Sequence, residues 1–579
     1  MEGCRQLDLA GSAAIRLNIV FALVILVLGC FSWSSAAQAP PGPDRIAAIG
    51  KSFDEQRWQQ VVEQAQVLPN RDADVEYYYG VALAQLGRWD AARTALLRGR
   101  LLRPRDERFP VELGGVAFKQ KRYAEAAGWL RRAMQLNPGD TYAADFLATV
   151  YFLQGNLDAA LKYWNRVGKP RVASVRVEPG LQVDPVLLDR AFVFAPGATL
   201  LVSDLRTTRA RVRGLGIFPS FNFRLNARPD ADFDVDFTAR ERDGWGQGKL
   251  ETLLFTFRGI GYQTIYPEYF NAARSAINVT SLVRWDEQKR RLKADLSAPL
   301  RGDPRYRYRV GLDMRDEDWD LRQSFKGPAP SLGALDLRRS AVSGEITSFA
   351  GAGWSWSSGA EFSYRDYRRI AVGPGLSQQV LLTGYQLKHT AELKRDLWRV
   401  PERRFESRGQ ISSELGRIWS APAHTFERVQ GSFTARWLPR MTGDDYAVEQ
   451  QFRAGRIFGS VPFDELYMLG LERDNGLWMR AHIGTHDGRK GSAPLGRNYF
   501  LSNWEIDKNV YNNGFLGVKL SPFLDTGKST DSLVGSGSTK WLWDTGVQAK
   551  VRVLGVGFAV VYGKDLRSGN NAFYLQAGR

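Results

Sequence analysis

From about residue 249 to Arg579 the chain carries no helical periodicity. Short runs alternate apolar and polar side chains instead, separated by clusters of Gly, Asp, Pro and Arg. A period of two places successive side chains on opposite faces of a strand. The clearer runs are 250–257, 276–284, 291–297, 306–314, 340–349, 354–364, 380–393 and 405–411. Beyond these lie 431–438, 447–458, 499–507, 514–521, 544–553, 555–562 and 572–577. Most approach the ~9–11 residues of a tilted transmembrane strand. About sixteen strands are expected, because single-chain bacterial barrels have even counts. Trp285, Trp319, Trp354, Trp419, Trp437, Tyr499, Trp541 and Tyr562, at or near run ends, suit the interfacial girdles of a membrane barrel. A soluble propeller would show a blade period, and about 330 residues is long for one sandwich.

The N-terminus fits export. Residues 1–39 read as a secretory signal: Arg5 and Arg16 precede the apolar run Ile19 to Phe31, and the small-residue site Ala37-Gln38-Ala39 follows. The run is too short for a membrane span of about 20 residues. No later run approaches the ~18 apolar residues of a helical span, and in lipid the other solution is a closed barrel. Both cysteines, Cys4 and Cys30, fall inside the signal. The mature chain is therefore expected to hold no disulfide and no cysteine-based zinc site or nucleophile. Lipidation at Cys30 is the weaker alternative, since an ordinary cleavage site lies just downstream.

The net charge is +17. Its arginines are spread through strands and turns rather than packed into one tract, so with a signal peptide no nucleic-acid partner is expected. Outer-membrane lipid or lipopolysaccharide head groups are the anions expected to meet the excess charge.

Residues 40–45 form a Pro-rich linker, and from Ile46 to about Gly168 a helical pattern repeats. Trp89, Tyr123 and Leu157 stand at a constant spacing, and so do the small-residue segments after them. Pro104 and Pro138 end successive units, while Gly80, Gly114 and Ala148 occupy a close-packing position. The period of 34 residues resembles that of tetratricopeptide repeats. Three units are clear, preceded by a degenerate one around Trp58 to Pro69. Small residues let paired helices approach, aromatics fill the gap between neighbours, and Pro stops each second helix. The segment 40–168 is read as a repeat domain that binds a periplasmic protein partner.

Residues 171–246 change character. Val172–Glu178 alternates as a strand. Asp184 is placed to cap a helix through Val193, which ends before Pro196-Gly197, and Ser203 to cap a second helix to Leu215. Gly216-Ile217-Phe218 turns into two strands, 220–225 and 232–240, the second with Phe233, Val235 and Phe237 on one face. This β-α-α-β-β order, with Pro196-Gly197 between the helices and Gly216 and Phe218 after the second, resembles a POTRA domain. POTRA domains are periplasmic modules of the BamA/TamA superfamily of outer-membrane assembly and translocation barrels. The resemblance implies that this module's sheet edge receives client or partner strands.

Between the strand-like run Tyr446–Phe458 and the next at residue 498 lies a connection of roughly 40 residues, a length that is usually functional inside a β domain. In the superfamily the sixth external loop enters the barrel with a hydrophobic-Arg-Gly-aromatic tip. Its Arg packs on the acid of a Phe-x-Asp-x-Gly strand motif. Phe523-Leu524-Asp525-Thr526-Gly527 matches the second pattern in full. Met479-Arg480-Ala481-His482 matches the first in part, with Ala for Gly and His for the aromatic, and Arg473 is a second candidate tip. By this resemblance Arg480, Asp525, Phe523 and Gly527 anchor the loop in the lumen. Independently of the family, a guanidinium–carboxylate contact supplies a bidentate anchor to a loop that has no core of its own. Family barrels commonly end on an aromatic residue, whereas this chain stops at Ala577-Gly578-Arg579.

Enzyme chemistry has little support, and no catalytic residue, cofactor or metal is expected. Of the four histidines, His482 and His486 mimic an i, i+4 metal pair, but they lie in a Gly-rich loop with no acidic ligand spaced to match. The fold class is therefore multidomain: helical repeats, a small α+β module, and an antiparallel transmembrane β-barrel over 247–579. The implied function is insertion or translocation of unfolded client proteins at the bacterial outer membrane, with the N-terminal domains in the periplasm. A passive pore or polysaccharide-export conduit is the alternative.

Overall fold

The computed structural model describes residues 43–230, 232–246, 249–374, 376–441, 443–531, 540–553 and 556–577. Residues 1–42, over which a signal segment is expected and which hold both cysteines, and the last two residues lie outside these ranges. The chain divides into two compact units, 1–138 and 139–579.

The first unit is three helical hairpins: α1 (Pro43–Asp54) with α2 (Trp58–Gln66), α3 (Ala73–Gln85) with α4 (Trp89–Leu102), and α5 (Arg108–Lys119) with α6 (Tyr123–Leu136). Asp72 caps α3 by accepting the Val75 amide at 2.8 Å. The periodic positions have clear structural work. Trp89 and Tyr123 open the second helix of their hairpins. Ala92 and Ala126 are fully buried. A Cβ on Gly80 or Gly114 would come within 2.7 Å of Leu96 or 2.8 Å of Leu130. These glycines set how closely each pair of helices packs.

The second unit opens with a further hairpin, α7 (Thr141–Leu153) and α8 (Leu157–Trp164), Leu157 being the first residue of α8. A three-stranded sheet follows, built of β1 (Val172–Val177), β2 (Ser220–Ala227) and β3 (Phe233–Arg240) in the order β1-β3-β2, with β1–β3 parallel and β2–β3 antiparallel. Helices α9 (Pro185–Ala191) and α10 (Val202–Leu215) lie between β1 and β2 in sequence. Asp184 caps α9 through the Val186 amide at 2.9 Å. Ser203 does not cap α10: the helix begins at Val202 after Leu201, and the Ser203 hydroxyl turns to Asp204. Gly197 and Gly216 both have positive φ, 85° and 71°, and Gly216 ends α10 in the left-handed conformation. Pro196 is exposed, and buried Phe218 packs edge-on to Phe237 at 5.8 Å. Phe192, Phe223 and Phe237 complete that core.

Hairpin, sheet and barrel form one body. Phe152 and Trp164 pack against Phe233. Asn156 donates to the Pro401 carbonyl at 2.8 Å, and Lys162 and Tyr163 both reach Glu402, at 2.5 and 2.8 Å. Asp158 holds Arg209 of α10 and Arg399 of the barrel, each at 2.9 Å. Burial raises the Glu402 pKa, but the Lys162 and Tyr163 hydrogen bonds outweigh it and leave the carboxyl below its ordinary value.

The barrel begins after α11 (Lys249–Phe257), which replaces the first expected strand. The stretch holds helix formers with no internal Gly or Pro, and Arg240 pins Glu251 of its first turn at 2.6 Å. The early strands are β4 (Thr264–Ile265), β5 (Glu268–Ala272), β6 (Ile277–Trp285), β7 (Lys289–Leu300), β8 (Asp303–Leu321), β9 (Gly333–Gly351) and β10 (Trp354–Ala371). Then come β11 (Gly384–Val400), β12 (Phe405–Trp419), β13 (His424–Trp437) and β14 (Tyr446–Gly459). After the long connection run β19 (Asn498–Asn512), β20 (Leu516–Thr530), β21 (Leu542–Val553), β22 (Val556–Asp565) and β23 (Asn571–Ala577). The connection itself carries β15 (Tyr467–Met468), β16 (Thr485–His486), β17 (Arg489–Lys490) and β18 (Leu495–Gly496).

The sheet is a closed barrel of eighteen strand segments, where the sequence predicts about sixteen strands. Allowing for two features leaves fifteen wall strands among the described residues, one fewer than expected. β4 and β5 both pair with β6 and are halves of one interrupted strand, while β16 and β17 make a small hairpin on the connection. The circuit closes where β23 meets β4, and Tyr262, just before β4, donates its hydroxyl to the Leu575 carbonyl there.

The barrel is apolar outside and charged inside. Val310, Leu312 and Met314 on β8, and Trp504 and Ile506 on β19, point outward and are exposed. The alternate positions Arg291, Asp313, Arg339 and Lys388 face inward and pair with one another or with the connection. Such an exterior suits lipid. No described helix is long and apolar enough to cross a membrane, which says nothing about crossing by strands. Trp285, Trp354, Trp419, Trp437, Trp541 and Tyr562 are exposed, as girdle residues should be. Trp319 and Tyr499 are not girdle residues: they are buried, packed on Phe463 at 4.9 Å and Tyr467 at 4.6 Å.

Candidate functional site: the segment within the barrel

Residues 460–497 join β14 to β19 and run through the interior of the barrel. Most are buried, and their partners lie on strands all around the circuit, from Arg284 on β6 to Gly563 on β22. Only a segment inside a closed wall can reach so many strands at once.

The tip sits on β20. Arg480 donates from Nε to Asp525 Oδ2 at 2.9 Å and from Nη2 to Oδ1 at 2.7 Å, and its backbone N–H donates to the same carboxylate at 3.0 Å. Asp525 is fully buried, and Asn503 donates to its Oδ1 at 2.7 Å. The guanidinium also pairs with Glu505 and lies over the Phe523 ring, 3.9 Å from its centroid. At Gly527 an added Cβ would come within 3.0 Å of Met479 Sδ. Phe523, Asp525 and Gly527 alternate along one strand, so all three face inward, the first two onto Arg480 and the third onto Met479. The remaining tip residues turn to β21. The Ala481 amide donates to Asp544 at 2.7 Å, and His482 Nδ1 lies 2.9 Å from the same carboxylate.

Arg473 does not share this place. Its guanidinium stacks on Tyr262, 3.8 Å from the ring centroid. Its neighbours instead build a second clamp, which sequence reading missed. Asp474 accepts Arg284 at 2.9 Å and pairs with Arg291 at 2.7 Å, and Lys490 bridges to Glu317 on β8 at 2.7 Å. A third lies at the turn Phe463–Glu465. Glu465 meets Lys388 at 3.2 Å, Arg365 at 3.4 Å and Arg428 at 2.9 Å, and Asp464 accepts the Tyr367 hydroxyl at 2.9 Å. Neither clamp has a local motif. The only sequence signal is that acids occur in pairs in a connection otherwise rich in Gly and apolar residues.

Buried ion pairs of this kind contribute geometry more than net stability, because desolvation offsets their attraction. They fix where the segment sits. A polar cavity of about 1140 Å³ remains in the barrel, lined among others by Arg206 and Arg213 of α10, Lys388, Glu414 and Asp474.

Two tetratricopeptide repeat family models match the chain, over residues 80–141 and 117–173. No curated protein matches it. Among solved structures, CdiB from Escherichia coli is similar at 13% identity, covering 71% of this chain and 75% of that one, with a TM-score of 0.45. BamA from Haemophilus ducreyi lacking POTRA domains 1–3 is similar at 12% identity, covering 70% and 83%, with a TM-score of 0.41. MamA covers 21% of this chain and 73% of its own at 22% identity, with a TM-score of 0.21. The protein thus joins tetratricopeptide repeats, shown by the family matches, to a large antiparallel barrel of strands.

Proposed function

We propose that this chain is an outer-membrane protein that assembles or translocates client proteins, with its repeats and its β-α-α-β-β module in the periplasm. The observation that carries the reading is the Arg480 tip seated on Phe523, Asp525 and Gly527 inside a barrel with an apolar exterior. A segment held by charge pairs on every side suits a barrel that handles substrates at its wall rather than through an open bore.

Two further features support it. Among the described residues β2 pairs only with β3, so its outer edge offers free backbone groups to an incoming strand. A cavity of about 730 Å³ opens beside that edge, lined by Asn222 to Leu225, the end of α7 and the Pro401–Arg404 turn. The module acts as a POTRA-like client receiver, and the junction of β23 with β4 is the seam at which a client strand would pair. The repeats recruit a periplasmic partner, and outer-membrane lipid or lipopolysaccharide contacts the exterior.

The test is an Arg480→Ala chain expressed in the envelope. Loss of client insertion or secretion, with the barrel still folded and outer-membrane fractionated, supports the proposal. A second reading, a polysaccharide-export conduit, draws on the 1140 Å³ internal cavity. It predicts a wide, stable conductance that Arg480→Ala leaves unchanged.

A further inference from the structure

His482 stands between two carboxylates that its own loop does not supply. Its Nδ1 lies 2.9 Å from Asp544 on β21, and its Nε2 lies 3.7 Å from Asp565 at the end of β22. Both acids are buried, Asp544 at 0% exposure and Asp565 at 6%. Among the described residues neither has a lysine or arginine within ion-pair distance; imidazole is the one cationic partner of each. Their other contacts are neutral donors: the Ala481 amide at 2.7 Å for Asp544, and the Arg567 amide at 2.9 Å with the Ser568 hydroxyl for Asp565. The nearby Arg480 is already taken by Asp525 and Glu505. Two buried negative charges therefore face at most one positive charge, an imbalance that is costly away from water.

The spacing says what would correct it. A separation of 3.7 Å between Nε2 and the Asp565 oxygen is too long for a hydrogen bond. Two metal–ligand bonds of about 2.0–2.2 Å at a tetrahedral angle span about 3.3–3.6 Å, so a closing of a few tenths of an ångström lets one ion bridge the pair. Asp544, by holding Nδ1–H, leaves the lone pair of Nε2 directed at Asp565, the carboxylate–histidine–metal arrangement that fixes ring orientation at many sites. The three residues' donor atoms lie within 4.8 Å of one another.

We propose that Nε2 of His482 and the carboxylate of Asp565 bind a divalent cation of the zinc class. Asp544 is the positioning residue, and water completes the coordination. Imidazole with carboxylate favours such an ion over calcium or magnesium, which take all-oxygen sets. The sequence offered His486 as the companion of His482, but His486 turns to Asp487 at 3.2 Å, and the acidic ligand comes from a strand far along the chain. Bound there, the ion ties the tip to β21 and β22, beside the final strand β23, independently of the Arg480 clamp and of the function assigned to the barrel.

The experiment uses the folded chain in detergent micelles, stripped with a chelator and titrated calorimetrically with zinc chloride, then with calcium and magnesium chloride. The expected result is saturable zinc binding, weakened at least about tenfold by His482→Gln and by Asp565→Asn, with no comparable uptake of calcium or magnesium. Cobalt in place of zinc gives a visible absorption band that the same variants lose. Heat-modifiable gel migration confirms that each barrel is folded; Asp565→Asn, at the end of its strand, serves should His482→Gln fail that check. No zinc uptake by the folded wild-type chain, or uptake unchanged in folded Asp565→Asn, overturns the proposal.

Discussion

Arg480 and Asp525, 45 residues apart in sequence, meet edge to edge through Nε and Nη2, and the Arg480 backbone amide joins the same carboxylate. Three donors on one buried acid fix both the side chain and the main chain of the tip. A point charge could not do this, because lysine lacks the planar fork.

Removing Arg480 leaves Asp525 buried without its cation, whereas removing the Asp525 charge leaves Arg480 its pair with Glu505. Arg480→Ala should destabilise the seated segment by about 3–5 kcal/mol, and Asp525→Asn by less. Arg480→Lys should lie between wild type and alanine, since it keeps the charge and loses the bidentate contact. Limited proteolysis of residues 460–497 in detergent reads the effect as faster cleavage. Wild-type resistance in folded Arg480→Ala would show that the other two clamps suffice.

Glu465 collects four cations, from β9, β10, β11 and β13. Glu465→Gln should therefore expose the Phe463–Glu465 turn to hydrogen exchange while leaving the tip near Arg480 protected. Equal deprotection of both regions would mean that the segment is released as one unit rather than clamp by clamp.

The docking of α8 on the barrel turn should weaken in acid. Burial raises the Glu402 pKa, yet the bonds from Lys162 and Tyr163 set it lower overall. A group whose pKa is lowered on folding stabilises the native state above its unfolded value, about 4.3 for glutamate, and loses that contribution as pH falls through the folded value. Protection of the α7 and α8 amides, relative to their intrinsic exchange rates, should fall below about pH 4. Glu402→Gln should flatten that dependence and raise exchange at neutral pH.

In the repeats, Gly114→Val should cost roughly 1–3 kcal/mol by overpacking, because its Cβ would lie 2.8 Å from Leu130. Gly115, the next residue along α5, has open space around its Cβ. Gly115→Ala should be neutral or mildly stabilising. Urea midpoints of the two variants compare them directly.

Within this chain, local periodicity carried most of the architecture. The 34-residue spacing of Trp89, Tyr123 and Leu157 already identifies the first residue of three successive second helices, since a repeat states its packing in composition. Alternation likewise marks the barrel strands, because the pleat gives every second residue the same environment. The pattern misled where one physical choice remained open. Leu250–Phe257 reads as a strand, but its helix formers without internal Gly or Pro make it helix α11, held by Arg240 on Glu251. Trp319 and Tyr499 sit near run ends as girdle residues do, but they face the interior.

Phe523, Asp525 and Gly527 were legible because three inward residues on one strand leave a mark in sequence. The clamps around Asp474 and Glu465, and the pairing of His482 with Asp544 and Asp565, left none. Their members come from strands far apart in the chain and meet only because the wall closes on itself. The sequence by itself determined the elements and the faces they present. Tertiary structure alone decided which charges share the interior, because closure brings together side chains that no local spacing relates.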